Sequence, residues 1–124
     1  IRWMEWKLSD DRPIWLQLSE QLARQIVSGV YPPGGKLPSV RELAADAGVN
    51  PNTMQRALSQ LESEGLAVSN RTAGRMVTED AAVIDAARRK MAREIITTFF
   101  AAMADLGLSR ERAIELLKEE GIHE

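Results

Sequence analysis

Residues 39–65, SVRELAADAGVNPNTMQRALSQLESEG, constrain the fold more than any other stretch. Ser39 stands three residues before Glu42, the spacing of a capping box that opens a helix. Leu43, Ala44 and Ala47 then fall on one face, and Gly48 ends the element. Two residues later Asn50 can cap a second helix, with Pro51 at its first position, where a missing N–H costs nothing. Met54, Ala57, Leu58 and Leu61 form the inner face of that helix, and Gly65 stops it. Two short helices joined by a tight glycine turn form a helix-turn-helix.

The flanks complete a domain. Upstream, Ile14, Leu18, Leu22 and Ile26 recur every four residues and predict an amphipathic helix that starts at Pro13 and stops at Gly29. The stretch from Val30 to Pro38, with Pro32, Pro33, Gly34 and Gly35, is expected to be an irregular connector. Residues 1–11 read as an extended arm whose Trp3 and Trp6 dock on the body. Downstream, Leu66 and Val68, a loop from Asn70 to Gly74, and Met76 with Val77 read as a hairpin, that is, a wing. From Asp80 the pattern returns to helix for more than twenty residues. Gly107 interrupts it, and a last helix capped by Ser109 carries Ala113, Ile114 and Leu117. The fold class expected is mainly α with a small β-hairpin. A winged helix-turn-helix domain with an N-terminal arm occupies residues 1–78, and a helical dimerisation tail occupies residues 79–124.

The outer face of the helix beginning at Pro51 shows Asn52, Thr53, Gln55 and Arg56, with no acidic residue before Glu62. An ordinary solvated face carries Glu and Lys; amides and a guanidinium are suited to reading base edges. Asn and Gln can bond adenine bidentately, Arg can do so with guanine, and Thr can touch a thymine methyl. The N-terminal end of a helix also carries partial positive charge, which favours a polyanion. Ser39 and Arg41 open the preceding helix, which crosses the phosphate backbone in such arrangements. Arg71 and Arg75 flank the wing tip at Thr72 and Gly74. The bland alternatives are a solvated helix face, an Arg41 paired with a neighbouring carboxylate, and a wing charged only for solubility.

Net charge discriminates weakly. The chain of 124 residues has net charge −2, but residues 1–78 hold nine Lys/Arg against eight Asp/Glu, while residues 79–124 hold seven against ten. The acidic second part is a poor surface for a polyanion. Its stripe of Ile84, Met91, Ile95, Phe99, Met103 and Leu106, with Ile114 and Leu117, is apolar and must be covered. The same stripe on a second copy is the expected cover, giving a homodimer. A ligand pocket lined by Phe99, Phe100 and Met103 is the other reading. No cofactor or metal site is expected: Cys is absent and the single His, His123, lies beside the C-terminus. There is no nucleophile–base pair, and the Gly-Gly-Lys at residues 34–36 lacks the spacing of a phosphate-binding loop, so an enzyme is not expected. No apolar run reaches the ~18 residues of a membrane span, and a soluble cytoplasmic protein is the default.

The segments GGKLPSVRELA, GVNPNTMQRAL and LESEGL, in that order and spacing, resemble the winged helix-turn-helix domain of the GntR family of bacterial transcription regulators. The NPNTMQRA wording and the short tail are similar to its YtrA-type subfamily. The resemblance covers about residues 12–78 closely and the tail in length and pattern. It implies a dimeric regulator, with a repressor expected, bound to an inverted-repeat operator of double-stranded DNA. It carries the DNA contacts onto Ser39, Arg41, Asn50, Asn52, Thr53, Gln55, Arg71, Thr72 and Gly74. Pro51 and Gln55 stand where much of the family has arginine, and Thr72-Ala73-Gly74 replaces a Gly-x-Gly wing tip, so the operator sequence is not transferable. Subfamily members of this size often lie beside transporter genes, which makes a transporter operon the suggested target. Whether a small-molecule effector exists is left open. The competing class is a winged-helix protein-interaction module without a specific DNA target.

Overall fold

A computed structural model describes residues 5–121. Three helices, α1 (Ile14–Val27), α2 (Val40–Ala47) and α3 (Pro51–Ser63), precede an antiparallel hairpin of β1 (Ala67–Asn70) and β2 (Gly74–Val77); α4 (Ala81–Asp105) and α5 (Arg110–Glu119) follow. Trp3 and His123 lie outside the described residues. The chain forms two compact units, Ile1–Arg88 and Arg89–Glu124. The division falls inside α4, later than the break expected after residue 78.

The first unit is built around α3, which packs against α1, α2 and β1. Its inner face is the one that the apolar spacing marked: Met54, Ala57, Leu58 and Leu61 are all fully buried. Leu18, Leu22 and Ile26 of α1 and Leu43 of α2 complete the centre. The helix ends follow local chemistry. Ser39 Oγ accepts from the Glu42 amide while Glu42 Oε1 accepts from the Ser39 amide, the reciprocal pair of a capping box. Asn50 Oδ1 accepts from the Asn52 amide at 2.7 Å. Pro13 occupies the N-cap of α1 rather than its first turn, a shift of one position.

Between α2 and α3 the chain reverses at Gly48, which has φ 72° and ψ 37°. A Cβ there would meet nothing within 4 Å, so the demand for glycine is purely one of backbone conformation. Gly48→Ala should therefore cost about 1–2 kcal/mol, the penalty of a left-handed L-residue. Gly48→Asn should cost less, because Asn tolerates that region. Urea unfolding of the two variants measures the difference.

Three features lay outside the sequence-based expectation. The connector is not wholly irregular. Its residues 34–37 run along β2: Leu37 N–H donates to Arg75 O, Val77 N–H to Gly35 O and Gly34 N–H to Val77 O. The wing thus gains a short third strand-like edge, with Lys36 opposite Met76. The arm is fastened to α1 by two glutamines one turn apart. Gln17 accepts from Ser9 N–H and donates to the carbonyls of Ser9 and Arg12; Gln21 accepts from Lys7 N–H and donates to Lys7 O. Trp6 docks as expected, its Nε1–H donating to Asp46 Oδ2 at 2.7 Å. Burial first, and then the neighbouring Asp46 carboxylate, push the Tyr31 phenol above its ordinary pKa. Finally, Ile84 belongs to the core of the first unit. At 4% exposure it cannot form part of an outer stripe, which corrects its assignment to a dimer surface. Arg88 reinforces that end of α4, donating from Nε and Nη2 to the otherwise open carbonyl of Val27 at the end of α1.

In the second unit Ser109 Oγ caps α5 by accepting from the Arg112 amide, and Ala113 is fully buried. Phe99 and Phe100 meet edge to face at 5.2 Å, with the Arg110 guanidinium 4.2 Å from the Phe100 ring centre. The expected stripe is largely exposed. Ile95 is 62% exposed and Leu106 75%, with Ile114 and Leu117 also open; Met91, Phe99 and Met103 are half-buried. Ile96, which the spacing did not select, is 49% exposed beside them.

Candidate nucleic-acid interface

Three pieces of the first unit present the residues singled out above: the start of α2, the start of α3 and the wing. On α3, burial of positions 54, 57, 58 and 61 fixes the opposite face outward. Asn52, Gln55, Arg56 and Ser59 are exposed and Thr53 is half-buried. Asn52, Gln55 and Ser59 lie three and four residues apart and so share one face, and Gln55 Nε2 donates weakly to Ser59 Oγ at 3.4 Å. The Asn50 carbonyl oxygen is committed to the cap, which leaves its amide N–H groups for a ligand. The face therefore carries donors and acceptors but no carboxylate over its first three turns. Capping leaves the amide dipoles of this end directed at whatever lies before it.

Arg56 is held from below. Its guanidinium carbon lies 4.3 Å from the ring centre of Trp15 on α1. Such a cation–π contact fixes the side chain while leaving the guanidinium edges free to donate. At the start of α2, Ser39 Oγ is engaged in its capping box, whereas Arg41 is exposed and has no carboxylate partner among the described residues. The pairing alternative for Arg41 therefore has no counterpart among the described residues.

The wing tip is organised by a residue that sequence reasoning treated only as the edge of the loop. Asn70 Oδ1 accepts from Thr72 N–H, Thr72 Oγ1–H and Ala73 N–H, each at 3.0 Å. An Asn folding the backbone ahead of it is an Asx turn, and it holds Thr72 and the exposed Arg71 at the apex. Gly74 follows with φ 84°. Arg75 does not share the apex: Nη2 lies 3.4 Å from Glu62 Oε1, and the side chain is 18% exposed. The signal for this was available in part, since residue 75 falls on the same strand face as the buried Val77. No spacing rule, however, connects residue 75 to residue 62.

A short helix whose polar face carries no carboxylate before Glu62, a capped helix crossing ahead of it and a wing behind form the winged helix-turn-helix arrangement. Residues 15–77 match the bacterial regulatory proteins, gntR family. The chain belongs to the GntR family. It is 37% identical over 115 residues to the uncharacterized HTH-type transcriptional regulator YhcF of Bacillus subtilis, covering 93% of this chain and 95% of that one. It is 33% identical over 108 residues to the HTH-type transcriptional repressor YtrA of the same organism, covering 86% and 83%. Among solved structures, a GntR family transcriptional regulator from Listeria monocytogenes superposes with a TM-score of 0.81 at 36% identity, over 90% of this chain and 98% of that one. The DNA-binding domain of AraR, solved with operator ORX1, is similar over 60% of this chain and 92% of its own, with a TM-score of 0.53 and 30% identity. This GntR chain is thus a transcriptional regulator with a DNA-binding winged helix-turn-helix domain and a YtrA-like tail.

Proposed function

We propose that this GntR regulator is a repressor that binds an inverted-repeat operator as a homodimer. In this reading α3 enters the major groove of each half-site. Asn52, Thr53, Gln55 and Arg56 read bases from its first two turns, and the Asn50 amide reaches the same groove edge. Ser39 and Arg41 hold phosphates at the start of α2, and Arg71, Thr72 and Gly74 approach the backbone or minor groove from the wing. The second unit supplies the two-fold partner through Met91, Ile95, Phe99, Met103, Leu106, Ile114 and Leu117. Repression is supported by the name of the YtrA relative, and operator binding by the AraR complex. The observation that carries the reading is the exposed α3 face of amides and a guanidinium with no carboxylate before Glu62.

The two kinds of contact are separable by substitution. Gln55→Ala should relax preference at one or two base pairs by about 1–3 kcal/mol each and leave binding to other sequences unchanged. Arg41→Ala should weaken binding to all duplexes alike and flatten the dependence of log K on log salt by about 0.9. Titrating selected and shuffled duplexes across a range of salt gives both readouts. An Arg41→Ala variant with the wild-type slope removes that residue from the phosphate set.

A further inference from the structure

The register of the wing decides which of its side chains face the body. Ala67 pairs with Val77 and Ser69 with Arg75, while Val68 pairs with Met76 and Asn70 with Gly74. Ala67 and Val77 are buried, so the alternation of a strand turns Ser69 and Arg75 to the same inner face. There both meet Glu62 in the last turn of α3. Arg75 Nη2 approaches Oε1 at 3.4 Å, and Ser69 Oγ donates to Oε2. The Glu62 side chain is 28% exposed, and Arg75 Nε is buried. A carboxylate near a helix C-terminus opposes the helix dipole, so Glu62 depends on these donors for compensation. A two-stranded hairpin of four-residue strands is marginal by itself, and its angle to α3 needs a tertiary fastening.

We propose that Glu62, Arg75 and Ser69 form a strut that sets the angle of the wing against the recognition helix. Arg75 is thus a positioning residue for Arg71 and Thr72, not a phosphate ligand. This rests on the DNA-binding reading above. The two roles for Arg75 predict opposite signs. If Arg75 held a phosphate, Glu62 would compete for it, and Glu62→Gln would tighten DNA binding and steepen its salt dependence. If Arg75 is half of a strut, Glu62→Gln loosens the wing and weakens specific binding.

The test uses the full chain, a duplex that the wild type selects from a randomised library, and a shuffled duplex of the same composition. Glu62→Gln and Arg75→Ala should each weaken the selected duplex about tenfold, and the double variant no further, as expected for residues in one network. Binding to the shuffled duplex should be unchanged. The charge-swapped pair Glu62→Arg/Arg75→Glu should recover most of the loss. A structural defect alone would not restore specificity with a reversed charge on the wing. Independently of DNA, the Leu37 amide, which donates to Arg75 O, should exchange faster in Glu62→Gln while the α1 amides keep their protection. Tighter binding by Glu62→Gln, additive losses, or failure of the swap with a flattened salt slope in Arg75→Ala overturns the strut. A wild-type chain that selects no duplex overturns the DNA reading instead, and the exchange of Leu37 then judges the strut alone.

Discussion

Ile95→Asp is expected to turn the regulator into a monomer and to weaken operator binding about 10²–10⁴-fold, the range that linking two binding modules contributes. Ile95 is 62% exposed in the second unit, so the substitution removes little packing within the chain. In a two-fold assembly it removes the same apolar side chain from both copies, each burial being worth about 1.5–3 kcal/mol. It also places two carboxylates in an apolar contact, where each pays desolvation without a partner. Leu106, at 75% exposure, is the second choice for the same reason. Phe99→Asp should also yield monomers, but it is less clean, because Phe99 packs on Phe100. Sedimentation equilibrium at micromolar concentration reads the assembly, and a duplex with a single half-site provides the control. Monomers should bind that control as the wild type does. A dimeric Ile95→Asp chain would move the interface away from this stripe.

Leu58→Ala should produce the largest loss of stability, about 2–5 kcal/mol, the cost of truncating a fully buried leucine. Leu58 is completely buried on the face of the helix that packs against α1, α2 and β1, so the cavity opens where four elements meet. Domains of this size have only about 5–15 kcal/mol in total, and each kcal/mol shifts the midpoint of melting by about 4–8 °C for a 60–100-residue domain. The melt should therefore fall by about 8–40 °C, the product of those two figures. Leu106→Ala, by contrast, should leave the unfolding of a dilute monomer unchanged. Calorimetry of the two variants distinguishes a core leucine from an exposed one.

These two leucines illustrate what was legible in the sequence. Apolar spacing placed Leu58 inside correctly because the α3 pattern is bounded by a cap at Asn50 and a stop at Gly65. The same reasoning put Ile84 in a continuous outer stripe with Ile95. Periodicity assigns a face of a helix but not what that face meets, and α4 gives its first turns to the core of the first unit. The expected DNA-contacting residues on α3 lie on its open face because burial of the inner face leaves no other place for them. Arg75, expected at the wing tip, turns instead toward Glu62 for a different reason. Wing residues alternate between outward and inward, and the partner that claims the inward arginine sits thirteen positions earlier in another element. The Gln17 and Gln21 fastening of the arm and the edge formed by residues 34–37 are likewise contacts between separate segments. The Asn70 turn alone is local enough for a turn rule to have found it.

If the first two turns of α3 read base edges in a two-fold site, the chain selects a defined DNA sequence. Selection of bound duplexes from the fragmented host genome by the full chain, followed by sequencing, tests it most directly. The expected result is one enriched motif of two inverted half-sites, their centres separated by about one helical turn (10–10.5 bp) or a multiple of it, with base preferences that change in both halves for Gln55→Ala. Enrichment of no sequence, or of a motif that Gln55→Ala leaves intact in both halves, would contradict it.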